Sequence, residues 1–199
     1  SDCVFEKNEL EITVLITGVG VPFTSFYLGK ILSQNDFNLA LNAGIAGAFN
    51  RNIKMGDVVN VISEQFGDLG IEEADGTFTD MHELDLIPSN DFPFENGVLD
   101  NEKALDFDFL PKAKGLTVSK VHGFQPSINS IRKKYKADIE SMEGAAFFLA
   151  CKLENVPFLE IRSISNYVET RNRENWNIPL AIENLNKVLI QTIEIFQKS

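Results

Sequence analysis

The sequence predicts a single α/β domain, residues 1–199, with a central twisted mixed sheet, mostly parallel, flanked by helices. Short apolar runs rich in β-branched residues alternate with helical patterns along the chain, which is typical of this fold class. Several of these runs end in turns of small or polar residues. The 199 residues are enough for one domain with a sizeable core.

The predicted elements follow from the spacing of apolar residues. The first strand, over 11–17, reads as buried because it is short, apolar and β-branched. Further strands are predicted over 37–43, 57–63, 115–121, 137–140 and 156–162. Helices are predicted over 22–34, 127–135, 141–153 and 178–197. Ligands in such sheets bind beyond the carboxyl ends of the strands, so the turns after 17, 43, 121, 140 and 162 are the candidate site.

Residues 64–115 differ from the rest of the chain. They are acidic and rich in Gly, Pro, Asn and Asp, with few long periodic runs. We find neither a linker composition nor a second core, so we interpret this range as an irregular insertion in the one domain.

Charge and cysteine content restrict the function classes. The formal net charge of −11 disfavours nucleic acid and anionic membrane surfaces as partners. The chain contains no apolar run of about 18 residues, so we expect no transmembrane helix. Cys3 and Cys151 show no motif spacing, which favours a reduced, cytoplasmic protein without disulfides or a zinc site.

The stretch from Glu140 to Ala150 places one carboxylate at the start of an apolar helix. Ser141 is a suitable N-cap, and Glu143 then falls in the first turn, where the helix dipole favours a negative charge. Two interpretations remain open at this point: an ordinary helix start, or a pocket carboxylate that accepts hydrogen bonds from ligand hydroxyls.

Several familiar motifs are incomplete. Gly18-Val19-Gly20 is a weak dinucleotide fingerprint because its third glycine would fall at Phe23. The segment 42–48 lacks the Gly-Lys-Ser/Thr of a P-loop, although its glycines allow close approach to a flat ligand. His82 and His122 have no clustered partners, and no Gly-x-Ser-x-Gly elbow is present. We therefore expect no cofactor and no metal, and a loop role for His122.

Taken together, segments 18–20, 42–47, 141–144 and 162–166 resemble the purine nucleoside phosphorylase and nucleosidase superfamily. Within this superfamily, the chain resembles the bacterial methylthioadenosine/adenosylhomocysteine nucleosidase branch. Within that branch, it is most similar to the futalosine hydrolase family. The segments that narrow the resemblance are 66–76, 122–123 and 165–176. It covers nearly the whole chain and implies a nucleoside phosphorylase-like fold.

The resemblance also implies roles for individual residues. On the sugar side, Glu143 would accept the 2′- and 3′-hydroxyls of ribose, with Met142 packed on the sugar. The residues that would line both base and sugar are Ile45, Ala46 and Gly47.

On the base side, the resemblance implies that Phe124 stacks on the purine with Gln125 beside it. Ser165 and Asn166 would face the base edge, and Arg162 would support their loop. Glu143 and Asn166 are the expected catalytic residues.

The chemistry of glycosidic cleavage agrees with these roles. The reaction passes through a ribosyl cation-like state, which a carboxylate on the diol stabilises. Many relatives carry Asp at position 166, and a protonated Asp can give a proton to N7. The Asn166 amide instead offers a donor and an acceptor, which suits a 6-oxopurine better than adenine. The alternative is a turn residue with a local backbone bond.

The implied reaction is hydrolysis of futalosine to hypoxanthine and dehypoxanthine futalosine in menaquinone biosynthesis. Phosphorolysis requires cations around phosphate, and Arg51 is the nearest arginine after the second glycine-rich turn. A methylthioadenosine/adenosylhomocysteine nucleosidase and a purine nucleoside phosphorylase remain alternatives. The resemblance further implies a small-molecule nucleoside substrate and a homodimer.

One feature of the family is not found. Its members begin with a strand and a following glutamate that positions water, and Glu6, Glu9 and Glu11 do not match that motif. An inactive nucleoside-binding relative is therefore a third hypothesis.

Overall fold

The structure, a computed structural model, describes residues 2–7, 10–101 and 109–197. Its elements, in chain order, are β1 Asp2–Lys7, β2 Leu10–Leu15, α1 Val21–Leu32, β3 Ala40–Ala48, β4 Val58–Glu64, β5 Gly70–Glu72, β6 Phe78–Asp80, β7 Leu99–Asp100, β8 Lys112–Thr117, α2 Gln125–Lys134, β9 Ile139–Ser141, α3 Gly144–Leu153, β10 Phe158–Tyr167, a 3₁₀ turn Arg173–Asn175 and α4 Ile178–Phe196.

A six-stranded sheet organises the described residues, in the order β10-β3-β9-β8-β4-β7. Strand β10 also pairs with β4, so β10, β3, β9, β8 and β4 close into a ring, which we call the strand ring. β10–β3, β4–β8 and β8–β9 are parallel, whereas β10–β4, β3–β9 and β4–β7 are antiparallel. The predicted α/β class with a mixed sheet is confirmed.

The first predicted strand exists as β2, but the prediction that it is buried is wrong. β2 pairs antiparallel with β1 in a separate two-stranded sheet, and its side chains are half-buried or exposed. Ile16, just after β2, is 72% exposed. Apolar, β-branched composition shows that a segment is a strand, but it does not show which sheet the strand joins.

Two segments predicted as turns are strands. The glycine-rich residues 44–48, after the strand predicted over 37–43, complete β3, and the polar residues 163–167 complete β10. These strands pair in parallel along their whole length, and the small side chains of β3 lie beside the larger ones of β10. Tertiary pairing here outweighs the turn preference of glycine and of polar residues.

Residues 64–115 contain short strands rather than long ones. β5 and β6 form a small hairpin, and β7 pairs with β4 at the edge of the main sheet. β8 begins at Lys112 and ends at Thr117, earlier than predicted.

The helices cover the sheet. α3 is buried against α1 and the strand ring, and α4 packs on β10 and β3. Within the part of the chain that the structure describes, no helix is long and apolar enough to cross a membrane.

Aromatic packing holds α3 on the sheet. Phe148 is fully buried, and its ring centroid lies 4.7 Å from that of Phe158 in an edge-to-face arrangement. Phe147 packs on the same Phe158 ring at 5.6 Å. This cluster fixes the start of α3, and therefore the loop that carries Glu143.

We predict that Phe148→Ala lowers the free energy of unfolding by about 3–5 kcal/mol, because it opens a cavity in this cluster. Urea denaturation would measure the change. Phe124→Ala is the matched control, since Phe124 is 68% exposed, and it should change stability by less than about 0.5 kcal/mol. Equal losses in the two variants would contradict the role of the cluster.

Candidate active site

A cavity of about 380 Å³ opens between β2, α1 and β3. β2 and the turn after it contribute Thr13, Leu15 and Thr17, whereas every residue from 39 to 45 lines the other wall. Consecutive lining residues indicate that the backbone edge of β3 borders the cavity. β10 covers the opposite edge of β3, and β9 pairs with β3 only at Gly47 and Ala48.

Glu143 enters this cavity from the loop between β9 and α3. Its Oε1 accepts a hydrogen bond of 3.0 Å from the backbone N–H of Gly20. Gly20 has a φ of 92°, which favours glycine, so the turn after β2 can aim this N–H at the carboxylate. The predicted cap is shifted: α3 begins at Gly144, whose N–H donates to Ser141 Oγ at 3.2 Å.

Arg162 is the cation beside Glu143. Its Nη1 lies 3.6 Å from Glu143 Oε2, and its Nε donates to Glu160 Oε1 at 2.6 Å. Arg162 is 3% exposed and Glu160 is fully buried. The guanidinium therefore links the carboxylate of Glu143 in the cavity to that of Glu160 inside the strand ring. The ion pairs of Arg162 are with these two carboxylates and not with the segment of Ser165 and Asn166 that it was expected to support.

Glu64 is a second fully buried carboxyl group in this region. Its Oε2 accepts a hydrogen bond of 2.8 Å from Thr117 Oγ1, which itself accepts the N–H of Ala145. Burial, and then repulsion by Glu160, raise the pKa of Glu64 well above its ordinary value. Burial also raises the pKa of Glu160, although Arg162 opposes that rise.

Sequence reasoning missed Glu64 and Glu160. The sequence did carry a weak indication of both residues. Glu160 is the one carboxylate within the apolar run 156–161, and Glu64 ends the apolar strand β4. A charge inside a strand that is otherwise apolar must find a partner when it is buried.

Three glycines leave room for this group of charges. A Cβ on Gly44 would lie 2.0 Å from Arg162 Nη1, and one on Gly115 would lie 2.0 Å from Glu64 Oε1. A Cβ on Gly144 would lie 2.1 Å from the same Glu64 oxygen. Each glycine is therefore required by a side chain on another element.

Asn166 lies further along the same strands. A β-bulge between Ile164 and Asn166 pairs Asn166 with Gly47 instead of Ala48. Because facing residues share a side of the sheet, the bulge turns Asn166 away from the side on which Arg162 lies. Its Nδ2 donates to Tyr167 O at 3.0 Å, and Ser165 Oγ donates to its Oδ1 at 2.8 Å.

The structure brings only some of the expected residues together. Ile45, Glu143 and Arg162 line the cavity. The expected site residues outside its lining are Ala46, Gly47, Phe124, Gln125, Met142, Ser165 and Asn166. The sugar-side and base-side positions, at Gly44 and Gly47 of β3, are three residues or about 10 Å apart.

The expected base-side residues come from the end of β10 and from the segment after β8 that leads into α2. Gln125 accepts a hydrogen bond of 3.3 Å from Thr170 and donates one of 2.9 Å to Asn129. The N–H of Arg171 donates to Gly123 O at 3.0 Å, which joins the loop after β8 to the loop after β10. Phe124 stays exposed at this junction, so its ring is free to contact a ligand.

His122 has a partner that the sequence did not indicate. Its Nδ1 contacts Glu140 Oε2, and its backbone N–H donates to Glu140 Oε1 at 3.0 Å. Glu140 faces Gly47 across β9 and β3, in the same row as Asn166. The histidine is thus held beside the base-side residues. Among residues 2–7, 10–101 and 109–197, no group of three His, Cys, Asp or Glu side chains could hold a metal ion.

The strand ring and the carboxylate held at its strand ends agree with one known class of enzymes. The profile described as Phosphorylase superfamily matches residues 3–197, so the chain belongs to the phosphorylase superfamily. This confirms the resemblance inferred from the sequence.

Within this superfamily, the chain is similar to nucleoside-hydrolysing enzymes of two kinds. The chain is 31% identical over 173 residues to futalosine hydrolase of Thermus thermophilus, which covers 86% of this chain and 76% of that protein. It is also 31% identical over 172 residues to the 5′-methylthioadenosine/S-adenosylhomocysteine nucleosidase of Maridesulfovibrio salexigens, covering 81% of this chain and 70% of that protein.

Solved structures share the fold. The native futalosine hydrolase of Helicobacter pylori superposes with a TM-score of 0.78 at 16% identity, over 97% of this chain and 83% of that one. The 5′-methylthioadenosine/S-adenosylhomocysteine nucleosidase of Neisseria meningitidis, in complex with methylthio-immucillin-A, has a TM-score of 0.75 at 16% identity, over 94% and 83%. The predicted fold class is confirmed.

The raised pKa of Glu64 predicts a stability effect with a definite sign. An acid whose pKa is higher in the folded state stabilises the fold fully below its unfolded pKa, near the ordinary value of 4.5, and loses that contribution as the pH rises. Because glutamine does not ionise, Glu64→Gln should not lose stability in this way as the pH rises. The variant should melt at least about 2–4 °C above the wild type at pH 8, the shift that 1 kcal/mol causes in a domain of this size.

At pH 4 the advantage of Glu64→Gln should disappear, because Glu64 is then protonated in both states. Calorimetry across pH 4–8 would measure the difference. Glu174→Gln, at an exposed position, is the control and should show no such trend. A constant difference between Glu64→Gln and the wild type at all pH values would contradict the buried-acid assignment.

Proposed function

We propose that this protein hydrolyses the N-glycosidic bond of a 6-oxopurine nucleoside, with futalosine as the substrate and hypoxanthine and dehypoxanthine futalosine as the products. The observation that carries the proposal is the anchored carboxylate of Glu143 in the cavity, on a chain of the phosphorylase superfamily. Futalosine hydrolases from several bacteria among its relatives favour this substrate. The corresponding process is menaquinone biosynthesis, in the cytoplasm.

The geometry of Glu143 suits a sugar diol. Its Oε1 uses one lone pair on Gly20 N–H, and its Oε2 lies beside Arg162 without a short hydrogen bond. A carboxylate offers about four lone-pair positions, so at least two remain for the 2′- and 3′-hydroxyls even if Arg162 takes one. As positive charge develops on the ribose, this fixed negative charge stabilises the transition state more than the ground state. Met142 and Ile45 would pack on the sugar.

The base would lie at the carboxyl end of β3, beside Ala46 and Gly47, where it reaches Asn166 on the side of the sheet away from Arg162, with Phe124 stacked on it. Local bonds to Ser165 and Tyr167 fix the plane of the Asn166 amide and leave one N–H and one lone pair free. An oriented amide can donate to the purine N7 or O6 and stabilise the departing hypoxanthine, but it cannot transfer a proton.

Water is the nucleophile that the charges favour. A phosphorylase needs cations free to bind phosphate. Arg162 is engaged by Glu160 and Glu143, and Arg51 donates to Glu169 at 2.7 Å and stacks on Tyr167. Activity assays with and without phosphate separate the two reactions, and a methylthioadenosine assay tests the adenine-nucleosidase alternative.

A second candidate function is nucleoside binding without turnover. The observation that favours it is that no strand among the described residues pairs with the edge of β3 over 40–45, which borders the cavity beside Glu143. Of the three glutamates near the start of the chain, Glu11 is exposed, and Glu9 and the side chain of Glu6 lie outside the described residues. Hypoxanthine binding in calorimetry, without release from futalosine, would identify this function. Release of hypoxanthine from futalosine would exclude this function.

A homodimer belongs to the same proposal. Phe23, Phe26 and Tyr27 are exposed on α1, and Val4 and Phe5 are exposed on β1. Exposed apolar side chains near one another are typical of subunit interfaces. Sedimentation at equilibrium would show whether the protein is dimeric.

We predict that Glu143→Gln lowers kcat for futalosine by about 10²–10³-fold, because the amide keeps the Gly20 bond but loses the charge that opposes the ribosyl cation. Hypoxanthine release measures the rate, and circular dichroism should show an intact fold. The exposed Glu174→Gln should keep the wild-type rate. Near-full turnover by Glu143→Gln would refute the assigned role.

Asn166→Asp should change the substrate preference. A protonated Asp can supply a proton to N7 of adenine, so we expect the ratio of kcat/KM for methylthioadenosine to that for futalosine to rise about tenfold or more. Paired assays on both nucleosides measure this ratio. Asn96→Asp, the same change in an exposed turn, should leave it constant. An unchanged ratio in Asn166→Asp would mean that residue 166 does not read the base.

A further inference from the structure

The strand ring beneath Glu143 holds more acidic groups than cationic ones. Glu64 from β4 and Glu160 from β10 lie inside it, Glu143 borders it, and Arg162 is the cation that faces all three among the described residues. Cys151, from α3, also faces Glu160. Burial and then Glu160 raise the pKa of its thiol to about 12, so it stays neutral.

These groups are packed so closely that their protonation states depend on one another. Within the described residues, the buried atoms Glu64 Oε1, Glu160 Oε2 and Arg162 Nη2 have no hydrogen-bond partner. Thr117 already donates to Glu64 Oε2, so a proton on Glu64 belongs on Oε1. A Cβ on Gly144 would lie 2.1 Å from that oxygen and 2.8 Å from Glu160 Oε1, so both oxygens point at the same place beneath α3.

We propose that Glu64 and Glu160 form a carboxyl pair that holds a single proton, and that this pair positions Arg162 against Glu143. Two carboxylates so close together in a dry interior cannot both ionise. Glu160 keeps its charge because Arg162 Nε donates to it at 2.6 Å. Glu64 has no cation at such a distance among the described residues, so it holds the proton.

The pair matters to the site because Arg162 is shared. Its closer anion is Glu160, at 2.6 Å, whereas Glu143 Oε2 is 3.6 Å away. Glu160 therefore keeps the guanidinium from closing fully on Glu143, whose lone pairs stay available to ligand hydroxyls. Glu160 is thus a positioning residue, and this part of the inference depends on the proposed function of Glu143.

The kinetic test compares two isosteric variants. Glu160→Gln leaves Arg162 with Glu143 as its ionised partner, so we expect kcat for futalosine to fall about 10–100-fold and KM to rise as well, because the guanidinium then occupies lone pairs of Glu143 that bind the ligand hydroxyls. Glu64→Gln replaces a neutral acid by a neutral amide of the same shape, so the loss in kcat should be under about threefold. A larger loss in Glu64→Gln than in Glu160→Gln would overturn the assignment of charges.

A second measurement does not depend on activity. Infrared spectra of the wild type in D₂O at neutral pH should show the carbonyl band of a protonated carboxyl group, and Glu64→Gln should lose it. Glu143→Gln is the control and should retain the band. A wild type without the band, or a Glu64→Gln variant that retains it, overturns the carboxyl pair whether or not the protein is an enzyme.

These outcomes also separate the two proposals. If the band behaves as expected but no nucleoside is hydrolysed, the carboxyl pair stands and the proposed function fails. If Glu160→Gln does not fold, the spectra of the wild type and of Glu64→Gln still decide the inference.

Discussion

The guanidinium of Arg162 is the interaction on which the candidate site depends. It is almost fully buried and lies between a carboxylate inside the strand ring and a carboxylate in the cavity. Removing one partner of a buried ion pair costs about 3–5 kcal/mol, because it leaves an uncompensated charge. The strands can therefore bury Glu160 only because Arg162 stands two residues later on the same side of β10.

This ionic cluster explains features that would otherwise look unrelated. Gly44, Gly115 and Gly144 belong to three different elements, yet each is a glycine because an oxygen or nitrogen of the cluster occupies the place of its Cβ. The close approach of α3 to the ring follows from the same requirement. It brings Glu143 to the cavity, where the turn at Gly20 supplies a backbone donor.

The sugar half and the base half of the proposed site are positioned by different structural features. The sugar half depends on a charged network and a glycine turn, whereas the base half depends on a bulge in β10 and on the loops after β8 and β10. The halves are separated by about 10 Å along β3, so a ligand that bridges them must be extended. The phosphorylase superfamily, to which the chain belongs, provides this frame.

The sequence by itself determined the fold class, the order of most strands and helices, and the position of Glu143 at the start of α3, because apolar periodicity and a lone carboxylate at a helix start are local signals. It also contained the motifs of the superfamily, which the comparisons confirm. It could not determine that the strand continues over 44–48, because the parallel pairing with β10 that overrides the glycine preference is formed by residues over a hundred positions away.

Only the tertiary structure decided that β2 leaves the main sheet, that a bulge turns Asn166 away from the side on which Arg162 lies, and that Glu64 and Glu160 meet inside the ring. The physical reason is common to all three. Strand pairing and charge compensation are formed between distant parts of the chain, and their free energy depends on which partner is present rather than on the local order of residues.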